Sequence, residues 1–161
     1  MSQFLIKNNG NTNIKRRLVL LSGRAKFKFY GEKKGVGVVH GSDRPIRVDE
    51  DIIVMKKHDK RLMANSDYDA IYVEDKFPAG YAFTAGSDHV WAPIDDSREN
   101  ITCPAWFFNT ALRKNDANVK AIYDPDTDCI IFRAIKKIYK GDELLLWYGQ
   151  KYVKQLKCAQ V

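Results

Sequence analysis

Two alternating runs, Val119-Lys120-Ala121-Ile122-Tyr123 and Cys129-Ile130-Ile131-Phe132-Arg133-Ala134, flank Asp124-Pro125-Asp126-Thr127-Asp128. A proline among three aspartates stops a regular element, because proline fixes φ and aspartate side chains bond back to nearby backbone. The flanking runs must fold back on each other, and they form the clearest hairpin in the chain. The remaining apolar stretches are equally short. Arg17–Leu21, Ala25–Tyr30, Gly35–Val39, Asp51–Met55, Ala70–Val73 and Tyr81–Ala85 each have strand length. Ile138–Asp142 reads as a turn into a further strand, Glu143–Tyr148. Beyond Gly149 a helix is predicted over Lys151–Lys157, with Tyr152, Val153 and Leu156 on one face. The pattern predicts a mostly β protein with many short strands and few helices.

A chain of 161 residues, 45% apolar, is long enough for one domain with a buried core. We therefore expect a single domain over 1–161, with 1–14 a polar lead-in and 62–100 a variable, acidic, aromatic-rich insert. Nothing approaches the ~20 apolar residues of a membrane span, and the N-terminus turns polar too soon for a secretory signal. An intracellular location is the expectation. Cys103, Cys129 and Cys158 are widely spread, as are His40, His58 and His89, so no metal-ligand spacing emerges.

The net charge of +7 is unevenly distributed. Residues 1–61 carry 15 Lys and Arg against 6 Asp and Glu, whereas residues 62–100 carry 2 against 8. The acidic, aromatic-rich segment suits a basic protein or peptide partner, through charge complementarity and stacking on Lys or Arg. The basic first third is a candidate phosphate-binding patch, hence a nucleic-acid contact. An equally simple reading makes 62–100 a solvated loop region.

Three segments carry candidate chemistry. In Gly35-Val36-Gly37, preceded by Lys34, two glycines let the backbone pass close to a ligand, although such a pair also serves as a strand kink. In Phe107-Phe108-Asn109-Thr110-Ala111, a buried Asn109 can donate and accept at once, or simply cap a turn. In Leu144-Leu145-Leu146-Trp147-Tyr148-Gly149, Tyr148 is a phenol at the end of an apolar run, or a core aromatic.

Taken in order, these segments resemble the SET domain, the fold of most protein lysine methyltransferases. The family reads aromatic-aliphatic-Asn-His-Ser, then Pro-Asn, then I-x-x-G-E-E-L and a Tyr-Gly pair. This chain has Phe108-Asn109-Thr110-Ala111, Ala117-Asn118, Ile138-Tyr139-Lys140-Gly141-Asp142-Glu143-Leu144 and Tyr148-Gly149. It is most similar to the PR subgroup, which also lacks the usual His, here Thr110. Trp106 stands where many members have Arg, and no cysteine cluster follows Tyr148.

The resemblance implies several small β-sheets with a pseudoknot near the C-terminus. It implies S-adenosylmethionine held by Lys34, Gly35, Val36, Gly37, Asn109 and Thr110, with Tyr148 as the catalytic tyrosine. Tyr123 and Tyr152 are the first candidates for walls of a lysine channel, with Tyr30 and Tyr81 behind them. The implied activity is methyl transfer to a lysine in a basic, histone-like tail, which would place the protein in the nucleus. The alternative is a catalytically silent SET-like module that binds protein or nucleic acid.

Overall fold

The computed structural model describes residues 25–30, 36–72, 83–93 and 103–150. The expected strand over 17–21, the expected helix over 151–157, Lys34, Gly35, Tyr81 and Tyr152 lie outside the described residues.

Strand β1 (Ala25–Phe29) pairs antiparallel with β2 (Val36–His40), setting Phe27 opposite Val38 and Lys28 opposite Gly37. The following loop is held by an isolated bridge between Ile46 and Ile138, with 2.9 Å backbone bonds in both directions. Strand β3 (Asp51–Met55) then enters a sheet of its own.

A short 3-10 turn precedes β4 (Lys60–Ala64), which runs directly into the helix α1 (Asn65–Tyr72). The strand expected over 70–73 is therefore corrected: residues 70–72 are helical. Ile71 and Tyr72 favour strands by propensity. Tertiary packing prevails instead, since Tyr68 is buried one turn earlier against Ala92, Met63 and Val90. Strands β5 (Phe83–Thr84) and β6 (His89–Pro93) complete a three-stranded antiparallel sheet in the order β4-β6-β5.

Pro104–Phe107 form a 3-10 turn with proline at its start and all four residues buried. It delivers the chain to β7 (Asn109–Thr110). The predicted hairpin forms as β8 (Val119–Asp124) and β9 (Cys129–Ala134), closing with Asp124 opposite Cys129. Strand β9 is central, flanked by β3 and β8, and its alternation buries Ile130, Phe132 and Ala134. A register shift between Asp51 and Ile53 places both Ile52 and Ile53 inside, which the extra residue of a bulge explains.

The turn Tyr139–Asp142 needs Gly141, whose φ is +88°. Asp142 also caps it, accepting the Tyr139 N–H through its carboxylate at 2.9 Å. The continuous strand expected from Glu143 to Tyr148 is instead divided. Glu143 bridges Val39 of β2, and only β10 (Leu145–Leu146) pairs, in parallel with β7.

Among the described residues, four small sheets surround a main core of Trp106, Phe107, Phe108, Phe132, Met55, Ile138 and Leu144, with the smaller cluster of Tyr68 and Ala92 beside α1. Edge-to-face contacts of Phe27 with Phe107 and of Phe108 with Phe132 fix the aromatic packing at centroid distances of 5.1 and 5.4 Å.

Candidate functional site

The parallel pairing of β7 with β10 brings together segments more than thirty residues apart in sequence. Leu145 lies opposite Asn109 and Leu146 opposite Thr110. Asn118 secures the arrangement. Its side-chain amide donates to the Glu143 carbonyl at 2.8 Å, and its side-chain oxygen accepts the Leu145 N–H at 2.8 Å.

On one side of this pair a polar cluster forms. Asn109 is buried and donates from Nδ2 to Glu143 Oε2 at 2.8 Å. Tyr30, at the end of β1, donates its phenol to the same carboxylate, and burial together with Glu143 pushes its pKa up to about 12. Gly37 completes the cluster. A Cβ there would lie 2.7 Å from Asn109 Nδ2 and 2.8 Å from Tyr30 Cε2, and would collide with Glu143 Oε2. The close approach is available to glycine alone.

On the other side, Tyr148 is half-buried and tied down twice. Its hydroxyl donates to the Phe108 carbonyl at 2.8 Å, and its backbone N–H donates to Thr110 Oγ1 at 3.2 Å. It lines a cavity of about 760 Å³, together with Phe83, Ala117, Val119, Ala121 and Leu146. Phe83 leans toward Tyr148 at a centroid distance of 6.4 Å and rests on Trp106 and Phe132.

The sheet that carries Phe83 is clipped to the β8–β9 hairpin by Lys60. This side chain is fully buried, with Nζ 2.9 Å from Asp128 Oδ1 and 4.1 Å from the Trp91 ring centre. Tyr123 donates its hydroxyl to the same Asp128 oxygen at 2.8 Å and stacks near Trp91 at 5.5 Å. The Lys60 hydrogen bond, followed by that of Tyr123, holds the Asp128 carboxyl below its ordinary pKa. Trp91 faces Phe83 across β6 and β5, so the clip reaches the cavity wall within one strand pair.

The structure thus brings together Gly37, Asn109, Thr110 and Tyr148 from the predicted set. Val36 lies in β2 through its backbone. Tyr123 is 46% exposed, engaged with Asp128 and Trp91, and is not among the residues lining the cavity. Ala121, two residues earlier, lines it instead. Sequence reasoning met Glu143 and Asn118 within the motifs without giving them a role in the site, and it missed Phe83 and Lys60. For Glu143 there was a signal, a carboxylate directly preceding three leucines that are otherwise buried or half-buried. Among the described residues, no group of three or more His, Cys, Asp or Glu could hold a metal ion, and no helix is long and apolar enough to cross a membrane.

Small sheets gathered around a parallel pair, with an asparagine and a tyrosine delivered by its two strands, define a domain of the SET class. The SET domain profile matches residues 35–149, well over half of the chain, and the chain belongs to the SET domain family. Among solved structures, the Cryptosporidium protein CpSET8 is similar over 90% of this chain and 68% of its own, with 21% identity and a TM-score of 0.52. The methyltransferase domain of human PR domain-containing protein 2 is similar over 83% of this chain and 82% of its own, with 16% identity and a TM-score of 0.53. Likeness at such identities concerns the fold. No curated protein sequence matches this chain.

Proposed function

We propose that this protein is a protein-lysine N-methyltransferase that uses S-adenosylmethionine. The observation that carries the reading is the double tether of Tyr148, which fastens a phenol to the residues flanking Asn109 while the same side chain lines an apolar-walled cavity.

The polar cluster fits the cofactor by its donor set. The Glu143 carboxylate and Tyr30 phenol oxygen suit an ammonium group, the Asn109 side-chain amide suits a carboxylate, and Gly37 leaves the room in which these three side chains meet. Bound S-adenosylmethionine supplies an electrophilic methyl group. The remaining chemistry belongs to the chain. A free lysine has a pKa of about 10.4, and its ammonium form has no lone pair to offer. The Phe83, Ala117, Val119, Ala121 and Leu146 walls withdraw the amine from water and so favour the neutral form. Tyr148 donates its O–H in a hydrogen bond to the Phe108 carbonyl, which leaves lone pairs on the phenol oxygen to accept from the amine and orient it. Packing of Phe83 against Trp106 and Phe132 keeps the wall in place.

Titration calorimetry with S-adenosylmethionine and S-adenosylhomocysteine tests the cofactor half of this reading. Saturable binding that is lost in Asn109→Ala supports it. No binding at millimolar cofactor would turn the reading toward the silent module.

A further inference from the structure

The cavity beside Tyr148 has a rim of one charge sign. Lys114, Lys120 and Lys136 line it, with Asn115 between them, and none of its lining residues is a carboxylate among the described residues. The three lysines come from three places: the 3-10 turn before β8, the edge strand β8 itself, and the segment after β9. Lys136 is fixed by donating its ammonium to the Asn115 carbonyl, and Lys114 and Lys120 are exposed. Three acidic residues of the 62–100 segment are described, and they lie elsewhere. Asp67 and Asp69 are on α1 and Asp88 precedes β6, and none of the three lines the cavity.

We infer that the substrate of this site is a lysine flanked by acidic residues, with aspartate or glutamate side chains seated against Lys114, Lys120 and Lys136. The inference rests on the methyl-transfer reading of the Tyr148 cavity. The apolar lining supplied by Ala117, Val119 and Ala121 takes the aliphatic stem of the acceptor lysine, whereas the lysines decide which neighbours it can carry. A basic tail would bring arginines and lysines up to three ammonium groups, a mismatch that lowers both encounter rate and affinity. An acidic context brings complementary charge to the same rim. Because the lysines are exposed, each attraction is modest and screened, and the three together carry roughly a tenfold preference at low salt.

The test uses the full chain saturated with S-adenosylhomocysteine and fluorescent peptides containing one lysine, flanked by aspartate and glutamate, by alanine and serine, or by arginine. Anisotropy gives binding, and a parallel assay with labelled cofactor gives methyl transfer. The expected order is acidic, then neutral, then basic. The spread should shrink in about 0.5 M salt, where the screening length falls to a few ångströms. It should collapse in the pair Lys114→Gln and Lys120→Gln and invert in Lys114→Glu with Lys120→Glu. Thermal melting of both variants checks that they fold. Basic peptides that bind as tightly as acidic ones, an order unchanged by charge reversal, or no peptide binding at all would overturn the inference. Charge-dependent binding of acidic peptides without methyl transfer would uphold the rim's preference while sinking the catalytic reading.

Discussion

The Thr110 hydroxyl accepts the backbone N–H of Tyr148 at 3.2 Å while donating its own proton to the Ala111 carbonyl at 2.9 Å. This threonine stands where SET domains usually have a histidine. Its side chain is spent inside the protein, as a strut between the end of β7 and the tyrosine that follows β10. Its hydroxyl ties Tyr148 to the end of β7, and any cofactor contact of the kind the resemblance implies for Thr110 would fall to its backbone.

Thr110→Val keeps the shape of the side chain but removes the acceptor. Leaving the Tyr148 N–H without its partner should cost about 1–2 kcal/mol of stability, read from denaturant unfolding. Methyl transfer should fall by roughly tenfold or more, because small misplacements of a positioning group are expensive. Cofactor affinity measured by calorimetry should change little, and Thr110→Ser should restore turnover.

Gly37→Ala tests the polar cluster directly. The added methyl meets Asn109, Tyr30 and Glu143 at once, and overpacking of this kind costs about 1–3 kcal/mol. Cofactor binding should be lost even in preparations that remain folded by circular dichroism. Retained binding would show that the cofactor does not use this cluster.

The Tyr30 phenol offers a pH signature. Burial, reinforced by the Glu143 carboxylate, raises its pKa to about 12, above the ordinary value of about 10. A raised folded-state pKa favours the protonated fold. The stability it contributes is fully present below the ordinary tyrosine range and is lost as pH rises through about 12. Tyrosinate absorbance should therefore include a late-titrating phenol that disappears in Tyr30→Phe and moves to lower pH in Glu143→Gln, separate from Tyr123, whose hydrogen bond to Asp128 also raises its pKa.

Lys60→Met removes the ammonium from the Trp91, Tyr123 and Asp128 cluster while roughly keeping its volume. The melting temperature should fall, and turnover should fall with it if the clip holds Phe83 against Tyr148. The lowered pKa of Asp128 gives the sign with acid. Stability from the clip is present above the ordinary aspartate range and is lost as pH drops through the depressed value. Melting curves from neutral to strongly acidic pH should diverge least between the two proteins at the acid end.

Much of the fold was legible where local chemistry decides it. The Asp124–Asp128 turn announced β8 and β9, and the runs at Asp51–Met55 and Gly35–Val39 became β3 and β2 with little change. Strand β4 was not legible. Lys-Arg-Leu-Met-Ala shows no alternation, and its buried Lys60 is tolerated only because Asp128 arrives from 68 residues away. Likewise, strand-favouring residues at 71 and 72 finish a helix because Tyr68 finds its burial against Ala92.

The arrangement around the candidate site was legible only in part. Asn109 and Tyr148 came from motif order, which survives even though the histidine between them does not. Tyr30 and Glu143 meet only because Glu143 bridges Val39 and leaves the strand that was expected to continue to Tyr148. No local pattern encodes that crossing. Tyr123 has the aromatic character of a channel wall, but Asp128, five residues on, captures its hydroxyl.

The central claim is that Tyr148 orients an amine for methyl transfer beside a cofactor held elsewhere. Tyr148→Phe, measured for labelled-methyl transfer and for cofactor binding on the same preparation, tests it most directly. The account predicts a loss of transfer of roughly 100-fold or more, the scale expected when an amine loses the group that aligns it, with cofactor affinity retained. Transfer to peptide at an unchanged rate in Tyr148→Phe would contradict it.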